Sequence, residues 1–227
     1  MQQSFYIQAY WPFNFYNQTM EFTPLLLASV VGFTHAFEAD HLVAVSSIVT
    51  RRNSPLLAIK DGIYWGLGHT STILLVGTVI LLGRIAFEES DFRYFEAGVG
   101  VMLIVLGMYR LFKLYKTPQI TLHTHPHPNP KDFKLAFGVG LVHGLAGSGA
   151  LLLTVLAATK STVTGLIYLV IFGVGSIVGM MLAAGVFSLP YSEKILNNKT
   201  ISMALTVLSS LLCIVLGSMV VYENLFQ

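Results

Sequence analysis

The chain has 227 residues, of which 54% are hydrophobic and only 11% are charged, and its mean hydropathy is +0.70. These values lie outside the range of a water-soluble domain and predict an integral membrane protein. The net charge of +2 gives no reason to expect nucleic acid as a partner. With a single cysteine, Cys213, the chain has no pair for an internal disulfide or for thiol redox chemistry.

Hydrophobic runs follow one another along the chain, each bounded by charged residues, proline or asparagine. A helix needs about 20 residues to cross roughly 30 Å of hydrocarbon. We therefore expect an all-α membrane protein with about six transmembrane helices, at 24–50, 56–83, 95–115, 134–159, 162–187 and 200–222. Residues 1–22 are aromatic and polar and lack the basic start of a signal peptide, so we expect them to lie at the membrane interface. Residues 223–227 form a short tail.

Lysine and arginine are unevenly distributed between the two sides of this predicted bundle. Of the 13 basic residues, ten fall on one side, and Arg84, Arg93 and Lys160 fall on the other. Because translocating basic residues is unfavourable, the basic side should be cytoplasmic. We expect a multi-pass protein of the plasma (inner) membrane, or of an equivalent organelle membrane, with both termini on the non-cytoplasmic side.

The two halves of the chain resemble each other at an offset of about 108 residues. Gly32 and His35 match Gly140 and His143, WGLGHTST at 65–72 lies over FGVGSIVG at 172–179, and IVLG occurs at 104–107 and 214–217. With three spans per unit, the second unit must be inverted relative to the first, and such repeats place transporter sites near the midplane at the repeat interface. The sequence thus predicts three-helix repeats at 23–115 and 134–222, joined by a cytoplasmic loop at 116–133.

Histidine and acidic residues lie inside these predicted spans, where a charged side chain costs roughly 2.5–3.5 kcal/mol. They are His35, Glu38, Asp40 and His41 in the first span, His69 in the second and His143 in the fourth. Imidazole and carboxylate donors without a thiolate suit a borderline divalent cation such as nickel, cobalt, zinc or ferrous iron. The charge of a bound ion would offset the cost of desolvating the carboxylates.

Helical rise predicts how these ligands compare in depth. At about 1.5 Å per residue, the candidates other than His35 and Glu38 lie roughly 12–16 Å from the cytoplasmic ends of their spans and can meet at one level. His35 lies deeper, at roughly 22 Å, and about 120° around an ideal helix from His41. It joins the same site only if the first span is distorted. Otherwise it forms a second station on the path, with Glu38 between the two.

The segment HAFEADH at 35–41 resembles the HxxxxDH signature of the nickel/cobalt transporter family, and LGHT at 67–70 resembles that family's second motif. GLVHGLAGSGAL at 140–151 is more similar to the shorter UreH-like branch, often described as urease accessory. The resemblance covers essentially all of residues 24–222 and implies that His35, Asp40, His41 and His69 handle the metal. The chain departs from the larger family in having about six spans instead of eight, and Glu38 where Asp is common.

The sequence therefore predicts transport of a divalent transition-metal cation, Ni2+ or Co2+ first, through a His/Asp site inside the bundle. No catalysis and no prosthetic group are expected, and a metallochaperone or a metalloenzyme maturation system is a candidate partner. Two alternatives stay open: an intramembrane metal-dependent hydrolase, although the sequence lacks HExxH, and a non-transporting metal-binding accessory protein. Transport predicts metal flux in sealed vesicles, a hydrolase predicts turnover, and an accessory role predicts binding without flux.

Three further histidines, His123, His125 and His127, alternate in the loop between the predicted repeats. The prolines among them predict a flexible tether. These imidazoles could hold a metal loosely and pass it to or from the pore, or they could be incidental residues of a solvated linker. The sequence leaves both interpretations open.

Overall fold

The structure is a computed structural model, and it describes residues 22–49, 54–83, 89–116, 130–146, 161–189 and 198–227. The long elements in these ranges are α-helices: α1 Phe22–His35, α2 Ala39–Val49, α3 Pro55–Gly83, α4 Glu89–Lys116, α5 Pro130–Ala146, α6 Thr162–Ser188 and α7 Lys199–Phe226. The prediction of an all-α protein is confirmed.

Four segments are long and apolar enough to cross a membrane: Pro55–Gly83, Phe92–Lys116, Thr162–Ser188 and Thr200–Phe226. The protein is thus a multi-pass membrane protein. The first expected span is divided between α1 and α2, and the fourth is described only as far as Ala146. The count of six spans therefore stays a prediction.

Two expected segments fall largely outside the described ranges. The N-terminal interfacial segment precedes α1, and the loop histidines lie between α4 and α5. Helix α5 begins at Pro130, inside the segment assigned to the loop, and α7 continues to Phe226, past the expected end of the last span at 222.

The first span breaks at 36–38, although this stretch contains neither proline nor glycine. The backbone N–H groups of Phe37 and Glu38 donate to the carbonyls three residues earlier, so α1 ends in a tightened turn. Acidic side chains offer local alternatives to the regular helical pattern. Glu38 Oε1 accepts from the ring of His35 at 2.9 Å, and Asp40 Oδ1 accepts from the backbone N–H of His41 at 2.8 Å. We attribute the break to these hydrogen bonds.

The helices pack through a small number of close pairs. Helix α3 packs against both α6 and α5, α1 packs against α6, and α4 pairs with α7. Helix α2 contacts α7, α6 and α4. Glycine lets backbones approach closely in membrane bundles. Most of the glycines in the described helices accordingly lie where two helices meet.

Two of these glycine contacts are related by the offset of about 108 residues between the two halves of the chain. A Cβ at Gly32 in α1 would collide with the carbonyl oxygen of Phe172 in α6, and one at Gly140 in α5 would collide with the carbonyl oxygen of Trp65 in α3. Gly32 and Gly140 are matched positions, and so are Trp65 and Phe172. The contact of α1 with α6 and the contact of α5 with α3 are therefore made by equivalent residues of the two halves.

The contact between α4 and α7 is also made by matched positions of the two halves. A Cβ at Gly107 would lie 2.6 Å from the carbonyl oxygen of Ser210, and one at Gly217 would lie 2.5 Å from the carbonyl oxygen of Gly100. The offset of the IVLG segments relates Gly107 to Gly217 and Gly100 to Ser210. Such reciprocal contacts are the ones that a two-fold relation between the halves requires.

Helix α5 provides a matched test of this packing. A Cβ at Gly140 would enter the backbone of Trp65, whereas a Cβ at Gly138 would meet nothing within 4 Å among the described residues. Overpacking a close contact costs typically about 1–3 kcal/mol. We expect Gly140→Ala to lower the thermal denaturation midpoint of the purified protein in detergent by several degrees, and Gly138→Ala to leave it unchanged. Equal midpoints for the two variants would contradict the observed approach of α5 to α3.

Candidate metal centre

Three buried imidazoles form a triangle near the break in the first span. The ring centroids of His35 and His41 are 4.5 Å apart, those of His35 and His69 are 5.3 Å apart, and those of His41 and His69 are 5.2 Å apart. One nitrogen from each ring lies within 4.8 Å of the other two. A cation placed among them would thus be within reach of three nitrogen donors.

The helix break explains why His35 joins this group. His35 is the last residue of α1, and His41 lies in the first turn of α2, so the residues between them turn the second ring toward the first. On one continuous helix the two side chains would point about 120° apart. The sequence predicted that His35 would join the other candidate ligands only if the first span were distorted. The structure contains that distortion.

A fourth imidazole enters from α5. The ring of His143 is stacked on that of His41 at a centroid distance of 4.1 Å and lies 6.4 Å from that of His69. Gly144 makes room for this approach, because a Cβ there would collide with the backbone of His69. The cluster therefore brings together side chains from the segments expected as the first, second and fourth spans.

Two carboxylates orient these rings. Asp40 Oδ1 accepts from His41 Nδ1 at 3.0 Å, and Asp40 Oδ2 accepts from His143 Nε2 at 3.0 Å. Glu38 Oε1 accepts from His35 Nδ1 at 2.9 Å. Because an ionised carboxylate can only accept, each of these ring nitrogens carries the proton. The opposite nitrogen of each neutral ring then keeps its lone pair.

Those opposite nitrogens are buried without a hydrogen-bond partner among the residues that the structure describes. The atoms concerned are His35 Nε2, His41 Nε2, His143 Nδ1 and both ring nitrogens of His69. A buried polar atom is normally paired, so a set of unpaired ones in one place needs an explanation. Binding of a cation by the free lone pairs supplies one, and carboxylates behind ligating histidines are the usual supporting arrangement.

The two acidic residues differ in their surroundings. The side chain of Asp40 is 26% exposed, and that of Glu38 is 57% exposed. Asp40 uses both oxygens to hold two rings, while Glu38 holds one ring at the edge of the cluster. All six predicted site residues are therefore brought into one region, with Glu38 at its periphery.

Trp65 was not among the predicted site residues, yet it lies within ring contact of His41 and His143, at centroid distances of 5.6 and 5.9 Å. Trp65 precedes His69 by four residues, and such a spacing places both side chains on one face of α3. That periodicity was the available signal. The indole is fully buried and forms part of the wall of the cluster.

A second polar cluster, also not predicted, fixes the far end of α2. Arg110, one of the ten basic residues assigned above to the cytoplasmic side, is buried in α4, where its Nη1 donates to Ser47 Oγ at 3.2 Å and to Ser209 Oγ at 3.0 Å. The Cys213 thiol lies 3.0 Å from Ser47 Oγ. This cluster ties the helix that carries Asp40 and His41 to α4 and α7.

Comparisons with known proteins find relatives whose names refer to urease and to nickel or cobalt. The chain is 33% identical over 176 residues to the urease accessory protein UreH of a Bacillus species, which covers 74% of this chain and 77% of that protein. It is 27% identical over 214 residues to a putative nickel/cobalt efflux system of Methanocaldococcus jannaschii, which covers 87% of this chain and 92% of that protein.

A third relative is a plant protein. The chloroplast protein FOR GROWTH AND FERTILITY 2 of Arabidopsis thaliana is 26% identical over 199 residues, which covers 82% of this chain and 52% of that protein. The chain thus spans about half of its length. No family model and no solved structure matches the chain.

Proposed function

Because the chain belongs to the nickel/cobalt transporter superfamily, in its UreH-like branch, we propose that it carries Ni2+ or Co2+ across a membrane through the histidine cluster. The observation that carries this proposal is the triangle of His35, His41 and His69, three buried imidazoles that bring one ring nitrogen each within 4.8 Å of the others and that each have an unpaired nitrogen among the described residues. Nitrogen donors of this kind suit nickel, cobalt and zinc better than calcium or magnesium, which prefer oxygen.

Each residue of the cluster has a distinct part in this proposal. The free Nε2 atoms of His35 and His41 and one nitrogen of His69 bind the ion. Glu38 and Asp40 hold the protonated nitrogens of two of these rings and so keep the ligating lone pairs oriented. No prosthetic group is needed, since the metal is the cargo.

The position of the cluster favours transport over static storage. Its side chains come from α1, α2 and α3 of the first proposed repeat and, through His143, from α5 of the second, so it lies where the two proposed three-helix repeats meet. Inverted repeats of transporters place the substrate at such an interface and rock one unit against the other around it. The reciprocal glycine contacts support the two-fold relation on which this mechanism depends.

The name of one relative favours a second candidate. A urease accessory role is what the UreH name describes, and a membrane protein that binds metal without transporting it would fit that description. A metallochaperone or a metalloenzyme maturation system would then exchange the ion with the cluster. An intramembrane metal-dependent hydrolase stays the third alternative.

Flux measurements separate these candidates. Purified protein in sealed liposomes, offered Ni2+, Co2+, Zn2+, Fe2+ and Mn2+ one at a time, should move Ni2+ or Co2+ fastest, by at least tenfold over protein-free vesicles. Stoichiometric binding without flux would establish the accessory role instead. Hydrolysis of a lipid or peptide by the same vesicles, again without flux, would establish the hydrolase.

We also propose that both termini face away from the cytoplasm of an inner or organelle membrane. With Arg110 placed inside the bundle, nine basic residues still fall on the proposed cytoplasmic side against three on the other. Single cysteines at Ser54 and Asn129, in a Cys213→Ser background, should react with a membrane-impermeant maleimide only after the cells are opened. Labelling of either cysteine in intact cells would reverse the orientation.

A further inference from the structure

The cluster contains two overlapping sets of ligand-bearing side chains. One set is His35, His41 and His69, and the other is Asp40, His41 and His143. Within each set, one ligand atom from every residue lies within 4.8 Å of the others. His41 belongs to both sets, so it stands between them.

The two ring nitrogens of His41 have different surroundings. Its Nδ1 lies 3.0 Å from Asp40 Oδ1, and the other oxygen of Asp40 reaches His143. Its Nε2 has no hydrogen-bond partner among the described residues. The lone-pair directions of the two nitrogens of an imidazole diverge, so a single ion cannot be bound by both. An ion bound by Nε2 of His41 therefore cannot also be bound by its Nδ1.

We propose that these sets are two alternative stations for the transported ion, a three-histidine station and an aspartate station, which it occupies in turn. This inference rests on the proposed function. At the three-histidine station the ion is bound by Nε2 of His41, and the ring proton stays on Nδ1 facing Asp40. At the aspartate station the ion is bound by an oxygen of Asp40, Nδ1 of His41 and Nε2 of His143.

Protons balance between the two states. In moving to the aspartate station, His41 gives up its Nδ1 proton and gains one at Nε2, and His143 gives up its Nε2 proton and gains one at Nδ1. Water molecules that accompany the ion relay the protons between the two sides of each ring. Each ring remains neutral and keeps one proton, so the step neither takes up nor releases a proton overall. The atoms that receive the protons, His41 Nε2 and His143 Nδ1, are buried and unpaired among the described side chains.

Two adjacent stations suit an ion that must both enter and leave. Conduction requires sites that bind strongly enough to attract the ion and weakly enough to release it, and this is achieved with several neighbouring sites. Because both stations border one imidazole ring, two divalent ions there would repel each other strongly at low dielectric. The proposal therefore requires one bound ion per chain.

The competing interpretation is that Asp40 and His143 only orient His41 within a single site. His143→Gln distinguishes the two, because the glutamine amide can still donate to Asp40 but is a poor ligand for a transition metal. If His143 only orients, this variant should transport normally. If His143 is a ligand of the aspartate station, the variant should still bind one ion at the three histidines but should lose flux.

The experiment uses the full chain and Co2+ as the probe, with flux measured in proteoliposomes and binding measured by equilibrium dialysis and X-ray absorption. For His143→Gln we expect one bound Co2+ with affinity within about fivefold of the unsubstituted protein and flux reduced at least tenfold. For His69→Gln we expect residual Co2+ binding with more oxygen in the ligand shell, and again no flux. Ser71→Ala is the control, since that hydroxyl donates only within its own helix, to Leu67.

Each result bears on the inference separately from the proposed function. Normal flux in His143→Gln, complete loss of binding in His69→Gln, or two Co2+ ions per unsubstituted chain would each overturn the two stations. The binding measurement on His69→Gln decides the matter even if His143→Gln fails to fold. Absence of flux in the unsubstituted protein would overturn the proposed function instead.

Discussion

Replacing His41 should abolish Ni2+ and Co2+ flux, with a fall of at least 100-fold in initial rate. His41 is the one residue common to both ligand sets, and its ring lies within 5.2 Å, centroid to centroid, of those of His35, His69 and His143. Its loss therefore removes a ligand from every arrangement of the cluster. Initial rates of metal entry into proteoliposomes measure the effect directly.

Folding must be separated from binding in that experiment. His41 is fully buried, so His41→Ala leaves a cavity, whereas His41→Gln fills much of the same volume with a weaker ligand. Both variants should lose flux, and His41→Gln should retain the thermal denaturation midpoint of the unsubstituted protein more closely. Full activity in a well-folded His41→Gln protein would contradict the assignment of the cluster as the transport site.

Hydropathy predicted α3, α4, α6 and α7 well because the bilayer itself imposes their length and composition. The same signal could not show that the first span is two helices. Helix breaks in membrane proteins are usually inferred from glycine or proline, and the segment from His35 to His41 has neither. Its break comes from side chains that hydrogen-bond locally, and such bonds depend on rotamers that hydropathy does not contain.

The candidate ligands could be named from the sequence because buried imidazoles and carboxylates are costly in a membrane. The hydrogen bonds among these side chains could not be predicted. The sequence shows that Asp40 adjoins His41, but the chain separation gives no sign that its second oxygen reaches His143, 103 positions away. The contacts of Asp40 indicate which ring nitrogens of His41 and His143 carry protons. These tautomers could therefore be argued only from the structure.

Arg110 shows a limit of counting charges along a sequence. Lysine and arginine near the end of a span are normally assigned to the adjacent loop. Here the guanidinium lies between helices and donates to hydroxyls of α2 and α7. Serine is common in membrane helices, so nothing in the sequence singled out Ser47 and Ser209 as its acceptors.

The second large effect is expected from replacing the carboxylate of Asp40, with Glu38 as the comparison. Asp40→Asn should weaken Co2+ binding by about 10–100-fold, the usual cost of removing a group that orients a metal ligand. An asparagine side chain has one accepting oxygen, so it cannot accept from both His41 and His143 as Asp40 does. One of the two rings then loses the acceptor that fixes its proton and its orientation.

Glu38→Gln is the matched control, because the same loss of a negative charge should have a much smaller effect there. The glutamine oxygen can still accept from His35 Nδ1, the single ring that Glu38 holds. Glu38 is also more peripheral than Asp40, with 57% of its side chain exposed against 26%. We expect less than a fivefold change in affinity, measured by calorimetric titration with Co2+. Equal losses in the two variants would show that charge alone, and not the orientation of the rings, determines how tightly the cluster binds the ion.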